Sequence, residues 1–232
     1  MGKRVVKGVV DLVEQMRGGL IVSCQARGDN PLQGAIYMTA MARAAAMGGA
    51  AAIRAEGPDD VRAIVGAVTV PVIGLYKVDY PDSPVYITPT LRELEAVLAA
   101  GAPIVAVDAT ARQRPGESLP ELVARIHDAG RVAMADISTL EEALQAEAMG
   151  FDLVATTLSG YTPYSPQLSG PDLRLVEQCA ARCRCPVIAE GRIGDPATAA
   201  RALAAGAFAV TVGTAITDPA RITANFVAAM QW

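Results

Sequence analysis

The sequence predicts an α/β protein: a single (β/α)8 TIM barrel spanning residues 1–232, with an extra helix in front. Three observations predict it. Eight short β-branched runs alternate with alanine- and leucine-rich stretches that carry charges at helical spacing, the count of a closed parallel barrel. The 232 residues, 52% hydrophobic with a net charge of -4, suit one large core and exclude a disordered chain. No linker or composition shift divides the chain. A doubly wound sheet would have about five or six strands and a glycine-rich first turn, which Gln25-Ala26-Arg27-Gly28 does not supply.

The elements follow in order. Val5–Met16 reads as the extra amphipathic helix. Strands are expected at Leu20–Cys24, Ala51–Arg54, Val70–Leu75, Pro103–Val107, Arg131–Ala135, Leu153–Thr156, Pro186–Ala189 and Ala207–Val212. Helices are expected near Gly34–Met47, Pro58–Ala67, Thr90–Ala100, Ser118–Ala129, Thr139–Met149, Pro171–Arg182, Pro196–Ala205 and Pro219–Met230. Thr139-Leu140-Glu141-Glu142 is a capping box. Asp195-Pro196 and Asp218-Pro219 place a capping acid before a first-turn proline. Gly101, Gly130, Gly150 and Gly206 stand where helices stop.

Several function classes are excluded or disfavoured. The acidic balance leaves no basic footprint for nucleic acid. No apolar run approaches the roughly 18 residues of a membrane span. The basic start, Met1 to Lys7, lacks the apolar run and cleavage site of a secretory signal, so a cytoplasmic protein is expected. Cys24, Cys179, Cys183 and Cys185 are too unevenly placed for a disulfide framework and read as reduced thiols. His127 is the one histidine, which rules out multi-histidine zinc sites. No metal and no cofactor are expected.

Active sites of this fold sit at the C-terminal ends of the strands. The first polar residues there are Gln25, Arg54, Lys77, Asp108, Asp136, Thr156-Thr157, Glu190 and Gly213-Thr214. A single acid at a strand end can be a helix cap, but so many functional groups at one mouth imply a ligand, because unpaired charges are costly to bury. Lys77 is the most telling: the chain has three lysines against 17 arginines, and the other two are Lys3 and Lys7. Lysine can lose its proton when desolvated; arginine in practice cannot. Strands 3 and 7 face each other across a barrel roughly 15 Å wide. Side chains reaching about 6 Å and about 4 Å would leave a gap of order 5 Å between Lys77 and Glu190, one carbon wide. Two proton-transfer groups facing one carbon is the geometry of a two-base epimerase.

The loops after strands 7 and 8 carry Gly191, Arg192 and Gly194, then Gly213 and Thr214. Backbone N–H groups there suit an anion, and this fold often binds phosphate after those two strands. Two long segments, Val78–Pro89 and Leu158–Pro171, offer tyrosines and hydroxyls, among them Tyr86 and Tyr161, that suit a sugar.

Taken together, these stretches resemble the N-acetylmannosamine-6-phosphate 2-epimerase family of sialic acid salvage. The resemblance rests on Ser23-Cys24-Gln25-Ala26, Ile53-Arg54-Ala55, Ile73 to Tyr80 and Tyr86-Ile87-Thr88-Pro89-Thr90. It continues through Val107 to Thr110, Met134 to Thr139, Thr156 to Thr162, Ile188 to Ile193 and Val212 to Thr217. It implies a barrel enzyme, an isomerase, that moves a proton at C2 of N-acetylmannosamine 6-phosphate to give N-acetylglucosamine 6-phosphate. It implies Lys77 as base and Glu190 as acidic partner, with Gln25, Arg54 and Asp136 on the sugar and its N-acetyl group; Asp108, Thr157 and Tyr161 join that substrate-binding set. It also implies a homodimer, for which Phe226 and Trp232 are apolar hints. Two positions depart from the family pattern: Val78 follows Lys77 where a basic residue is expected, and Asp218 replaces an arginine, which Arg192 or Arg221 would offset. Asp108, Asp136 and Glu190 would raise the Lys77 pKa and oppose its neutrality. The competing readings are a Schiff-base aldolase or lyase on a sugar phosphate and a non-catalytic sugar-phosphate-binding barrel.

Overall fold

In the computed structural model, which describes residues 7–230, eight parallel strands close into a barrel in sequence order, β1 to β8. They are β1 Leu20–Cys24, β2 Ala52–Glu56, β3 Val72–Leu75, β4 Ile104–Asp108, β5 Val132–Asp136, β6 Leu153–Ala155, β7 Val187–Glu190 and β8 Ala209–Val212. The helices are α1 Lys7–Glu14, α2 Ala35–Met47, α3 Pro58–Val65, α4 Leu91–Ala99, α5 Leu119–Asp128, α6 Leu140–Met149, α7 Leu173–Arg182, α8 Pro196–Ala204, α9 Thr214–Thr217 and α10 Pro219–Met230. The expected helix in front is α1, with Val5 and Val6 outside the described residues.

Alternation along each strand sorts the core into two shells. Ile21, Ala52, Ile73, Leu75, Ile104, Ala106, Val132, Met134, Leu153, Ala155, Ile188 and Ala209 fill the barrel. Met16 and Phe208 join that cluster, with Leu12 and Val13 of α1 packed against it, so α1 serves as its plug. Residues of the opposite parity, such as Val22, Ile53, Val105, Val107 and Ala135, pack on the helices.

The same parity carries polar side chains inward once the apolar layers end. β2 runs two residues past its expected end, to Glu56. Arg54 is therefore not a rim residue but an interior one, 1% exposed. Its register partner across β1 is Ser23. Asp108 and Asp136 are register partners at the ends of β4 and β5, as Glu190 and Thr211 are on β7 and β8.

Capping matches the sequence where it was read: the Thr139 hydroxyl accepts the Glu142 N–H and the Glu142 carboxylate accepts the Thr139 N–H. Ser118 and Glu121 form a second box. α10 differs from the other long helices in burying none of its residues.

Gly74 of β3 marks a close approach: a Cβ there would stand 2.6 Å from Ala102 Cβ and 2.9 Å from Val97 Cγ1. Gly74→Ala should lower unfolding stability by about 1–3 kcal/mol through overpacking, read as a shift of the urea midpoint at unchanged m-value.

Candidate active site

A cavity of about 890 Å³ opens at the C-terminal end of the barrel. Gln25, Arg54, Lys77, Thr157, Tyr161 and Glu190 line it. So do Gly191, Arg192, Gly213 and Thr214, expected around the phosphate. Asp108 and Asp136 do not; both are wholly buried. His127 lies elsewhere, with its Nε2 2.8 Å from Asp152.

Arg54 forms the cavity floor, with Asp136 paired to it from behind. The guanidinium donates in parallel, 3.0 Å from NH1 to Oδ1 and 2.6 Å from NH2 to Oδ2, and the Thr157 hydroxyl donates to Oδ1 at 2.6 Å. Asp136 thus reaches the cavity only through Arg54 and Thr157. Asp108 faces elsewhere: it binds Arg112 at 2.6 Å and accepts from the Thr110 N–H and hydroxyl. Arg114 bonds the backbone carbonyls of Asp108, Thr88 and Pro89. Placed this way, Asp108 holds the loop after β4.

Those commitments change the electrostatics of Lys77. Its Nζ donates to Gln25 Oε1 at 2.6 Å, and Gln25 Nε2 donates to Ser23 Oγ at 2.8 Å. Its backbone N–H donates to the Glu56 carboxylate at 3.2 Å. Burial first, and then the Arg54 charge, hold the amine below its ordinary pKa, outweighing the pull of Glu56 and Glu190. The expected rise is thereby corrected: Asp136 is spent on Arg54, and Asp108 on Arg112.

Glu190 moves the other way. Burial raises its pKa and Asp136 adds to the rise, against Arg54 and Lys77. Its Oε2 lies 3.1 Å from Arg54 NH1 yet has no hydrogen-bond partner among the described residues. The contact is one of charge alone, because the NH1 hydrogens are turned to other acceptors. A base tuned down and an acid tuned up thus share one cavity.

The side where an anion was expected is built from loop backbone. Gly191 and Arg192 both have positive φ, 110° and 54°. Arg192 donates from Nε to Gly170 O at 2.8 Å and from NH1 to Ser159 O at 2.6 Å, with its guanidinium 5.4 Å from the Tyr161 ring centroid. Gly160 permits this: a Cβ there would lie 2.2 Å from Arg192 NH1. Among the described residues, the N–H groups of Arg192, Gly194, Thr214 and Ala215 donate to no backbone carbonyl. Asp218 lines the cavity beside Arg221, whose backbone N–H it accepts at 3.1 Å.

Neither long segment hangs free. Ile87 pairs antiparallel with Lys77 and is buried inside the barrel. Tyr164 donates to Glu142 at 2.7 Å, and the Thr162 hydroxyl to Ser138 at 3.1 Å. Two residues escaped the strand-end reading. Glu56 was detectable as the next inward position after Arg54; Tyr86 lines the cavity because Ile87 pins its loop.

A family model described as "Putative N-acetylmannosamine-6-phosphate epimerase" matches residues 38–232. The chain belongs to this epimerase family. It is 50% identical over 216 residues to a protein of Clostridium perfringens named "Putative N-acetylmannosamine-6-phosphate 2-epimerase", covering 93% of this chain and 98% of that one. A relative of the same name from Caldanaerobacter subterraneus is 51% identical over 221 residues, covering 94% and 93%. The solved N-acetylmannosamine-6-phosphate 2-epimerase from Clostridium perfringens superposes with a TM-score of 0.92 at 48% identity, covering 94% of this chain and 96% of that chain. Thiamine phosphate pyrophosphorylase from Pyrococcus furiosus, at TM-score 0.63 and 17% identity, shares the fold alone.

Asp136→Asn should cost about 3–5 kcal/mol of stability, because it takes from the buried Arg54 charge its doubly bonded counterion and leaves only the Glu190 contact. Replacing both, Arg54→Met with Asp136→Leu, should recover most of that loss in urea denaturation. Lys77 gives a pH signature. Its folded pKa lies below the ordinary 10.5, so folding is penalised fully below the folded value and not at all above 10.5. Stability from this group therefore rises with pH through that window. Lys77→Met should be more stable than wild type at neutral pH, and the difference should shrink as pH approaches 10.5.

Proposed function

We propose that this protein converts N-acetylmannosamine 6-phosphate to N-acetylglucosamine 6-phosphate by moving the proton at C2, within amino-sugar and sialic acid catabolism. The observation that carries the reading is the pairing of shifts: Lys77 held below its ordinary pKa and Glu190 above, lining one cavity over the Arg54 floor. The names of the relatives supply the substrate.

The sugar opens to its aldehyde, which makes the C2 hydrogen acidic. Neutral Lys77 takes that proton; the C–H electron pair becomes the C1–C2 double bond, and the carbonyl pair moves to O1. Protonated Glu190 returns a proton to the other face of C2, and the pair on O1 re-forms the carbonyl. Gln25 orients the amine, Arg54 and Thr157 meet the acetamido group and hydroxyls, and Tyr161 covers the sugar. The phosphate sits against the loops of Gly191, Arg192, Gly213 and Thr214, where unpartnered N–H groups and the nearby Arg221 offset Asp218. No metal and no cofactor enter these steps.

A homodimer belongs to the same reading. α10 exposes Phe226, Val227 and Met230, and α2 exposes Ile36, Tyr37 and Met47, apolar surface that a second copy would cover. Among the described residues no helix is long and apolar enough to cross a membrane. The four cysteines are unbridged, which suits the cytoplasm as the site of action.

Proton NMR of the sugar phosphate in deuterium oxide tests the chemistry. Wild type should exchange C2 hydrogen while interconverting the epimers, and Lys77→Ala should lose both by about 10²–10⁴-fold. Glu190→Gln should keep exchange from one epimer while interconversion falls by about two orders of magnitude or more. Exchange and interconversion falling together in Glu190→Gln would leave Lys77 serving both faces. A covalent adduct trapped on Lys77 by borohydride would replace the epimerase reading with a Schiff-base one.

A further inference from the structure

The reaction proposed above needs a group the preceding steps do not name. Removing the C2 proton collects charge on O1, and such an oxyanion is stabilised by a donor already aimed at it. Several side-chain donors near Lys77 are already engaged. Asp136 takes both terminal nitrogens of Arg54 and the Thr157 hydroxyl. The Gln25 amide donates to Ser23. Lys77 is needed as the base, and the buried Thr211 hydroxyl, which has no partner among the described residues, stands beside the acid as the register partner of Glu190.

Tyr86 is left. It lines the cavity with Lys77 and Arg54, is half-buried, and its hydroxyl bonds to no group among the described residues. Its place is fixed by the backbone. The Val78 N–H donates to Tyr86 O at 3.0 Å and the Thr88 N–H to Tyr76 O at 2.8 Å, which sets Ile87 opposite Lys77. Ile87 is 1% exposed within the barrel core, and its carbonyl accepts the Asp108 N–H at 3.0 Å. The tyrosine and the lysine therefore ride on two strands of one short ribbon, itself wedged into the barrel. Burial, with Asp136 and Asp108 behind it, pushes the phenol up to about 12, so it keeps its proton while the enolate forms.

Resting on the epimerase reading, we propose that the Tyr86 hydroxyl is a catalytic residue, the hydrogen-bond donor to the O1 enolate oxygen. As Lys77 breaks the C2–H bond and the carbonyl pair moves to O1, Tyr86 donates a hydrogen bond and retains its own proton. When C2 is reprotonated, the pair returns to the C1 carbonyl and that bond weakens. Catalysis gains because the bond is stronger to the enolate than to the aldehyde.

Tyr86→Phe keeps the ring and removes only the donor. It should lower kcat by about 10²–10³-fold with KM changed by less than about threefold, and slow C2 exchange in deuterium oxide in parallel. Two ligands read the same bond without turnover. The reduced open-chain hexitol phosphate, which has no carbonyl, should bind the variant as it binds wild type, which also shows that the variant is folded. The open-chain hydroxamate phosphate, whose oxyanion mimics the enolate, should bind about 10²-fold more weakly. Turnover within about threefold of wild type, an unchanged hydroxamate affinity, or equal weakening of both ligands would overturn the proposal. Wild type is measured alongside: if it neither exchanges nor epimerises, the epimerase reading itself falls, whatever Tyr86 does.

Discussion

The cavity depends on the buried ion pair between Arg54 and Asp136. A guanidinium 1% exposed inside a barrel is tolerable only with a counterion in good geometry, and the two parallel bonds from β2 to β5 provide it. The pair does more than neutralise itself. Arg54 stands close enough to Lys77 to disfavour the ammonium, while Asp136 no longer offers its charge to that amine. On Glu190 the two partners pull in opposite directions, which leaves burial to decide the outcome. One ion pair thus sets the background against which Lys77 and Glu190 are shifted in opposite directions.

The barrel was legible because its signals repeat: eight runs, eight helices, and helix-stop glycines before new strands all point to one architecture. Strand ends were legible to within about two residues, as sequence signals usually allow, and at β2 those two residues mattered. Arg54 looked like the first polar group past a strand and is an interior group, with Glu56 taking the rim position. Asp108 and Asp136 looked equivalent, two acids ending adjacent strands in register. They differ by their arginine: Arg54 lies on a strand facing the cavity, whereas Arg112 lies four residues after Asp108 in its own loop. Spacing along the chain cannot tell a carboxylate that meets a neighbour across the barrel from one that caps its own turn.

The loops teach a related lesson. The two long segments offered tyrosines and hydroxyls suited to a sugar, and buried acids anchor them. Glu142, 3% exposed, accepts backbone N–H groups from Ala111, Ser138 and Thr139 as well as the Tyr164 hydroxyl, tying the loops after β4, β5 and β6 to one carboxylate. Glu93, wholly buried, accepts from Thr90 and Tyr80 and clasps the loop after β3. Thr88 holds a positive φ of 45° there, a conformation its surroundings enforce through bonds to Tyr76 and Ala106. A site built on loops is thereby given much of the rigidity of a site built on strands.

That rigidity bears on the energetics of a reaction run in both directions. In the proposed chemistry, Lys77 neutral with Glu190 protonated serves one direction, and the ammonium with the carboxylate serves the other. The two forms hold the same number of protons, so the balance between them is internal to the cavity rather than set by the solvent. At their ordinary values, 10.5 and 4.5, the ionic form would be favoured by about 8 kcal/mol, and the neutral form would be too rare to start the reaction. Burial penalises only the ionic form, and it does so twice, once at each group. The cavity therefore narrows the gap from both sides, which is the condition for a two-base epimerase to hand protons in either direction at comparable rates. An arginine at position 77 could not meet that condition at any accessible burial, because its proton does not leave.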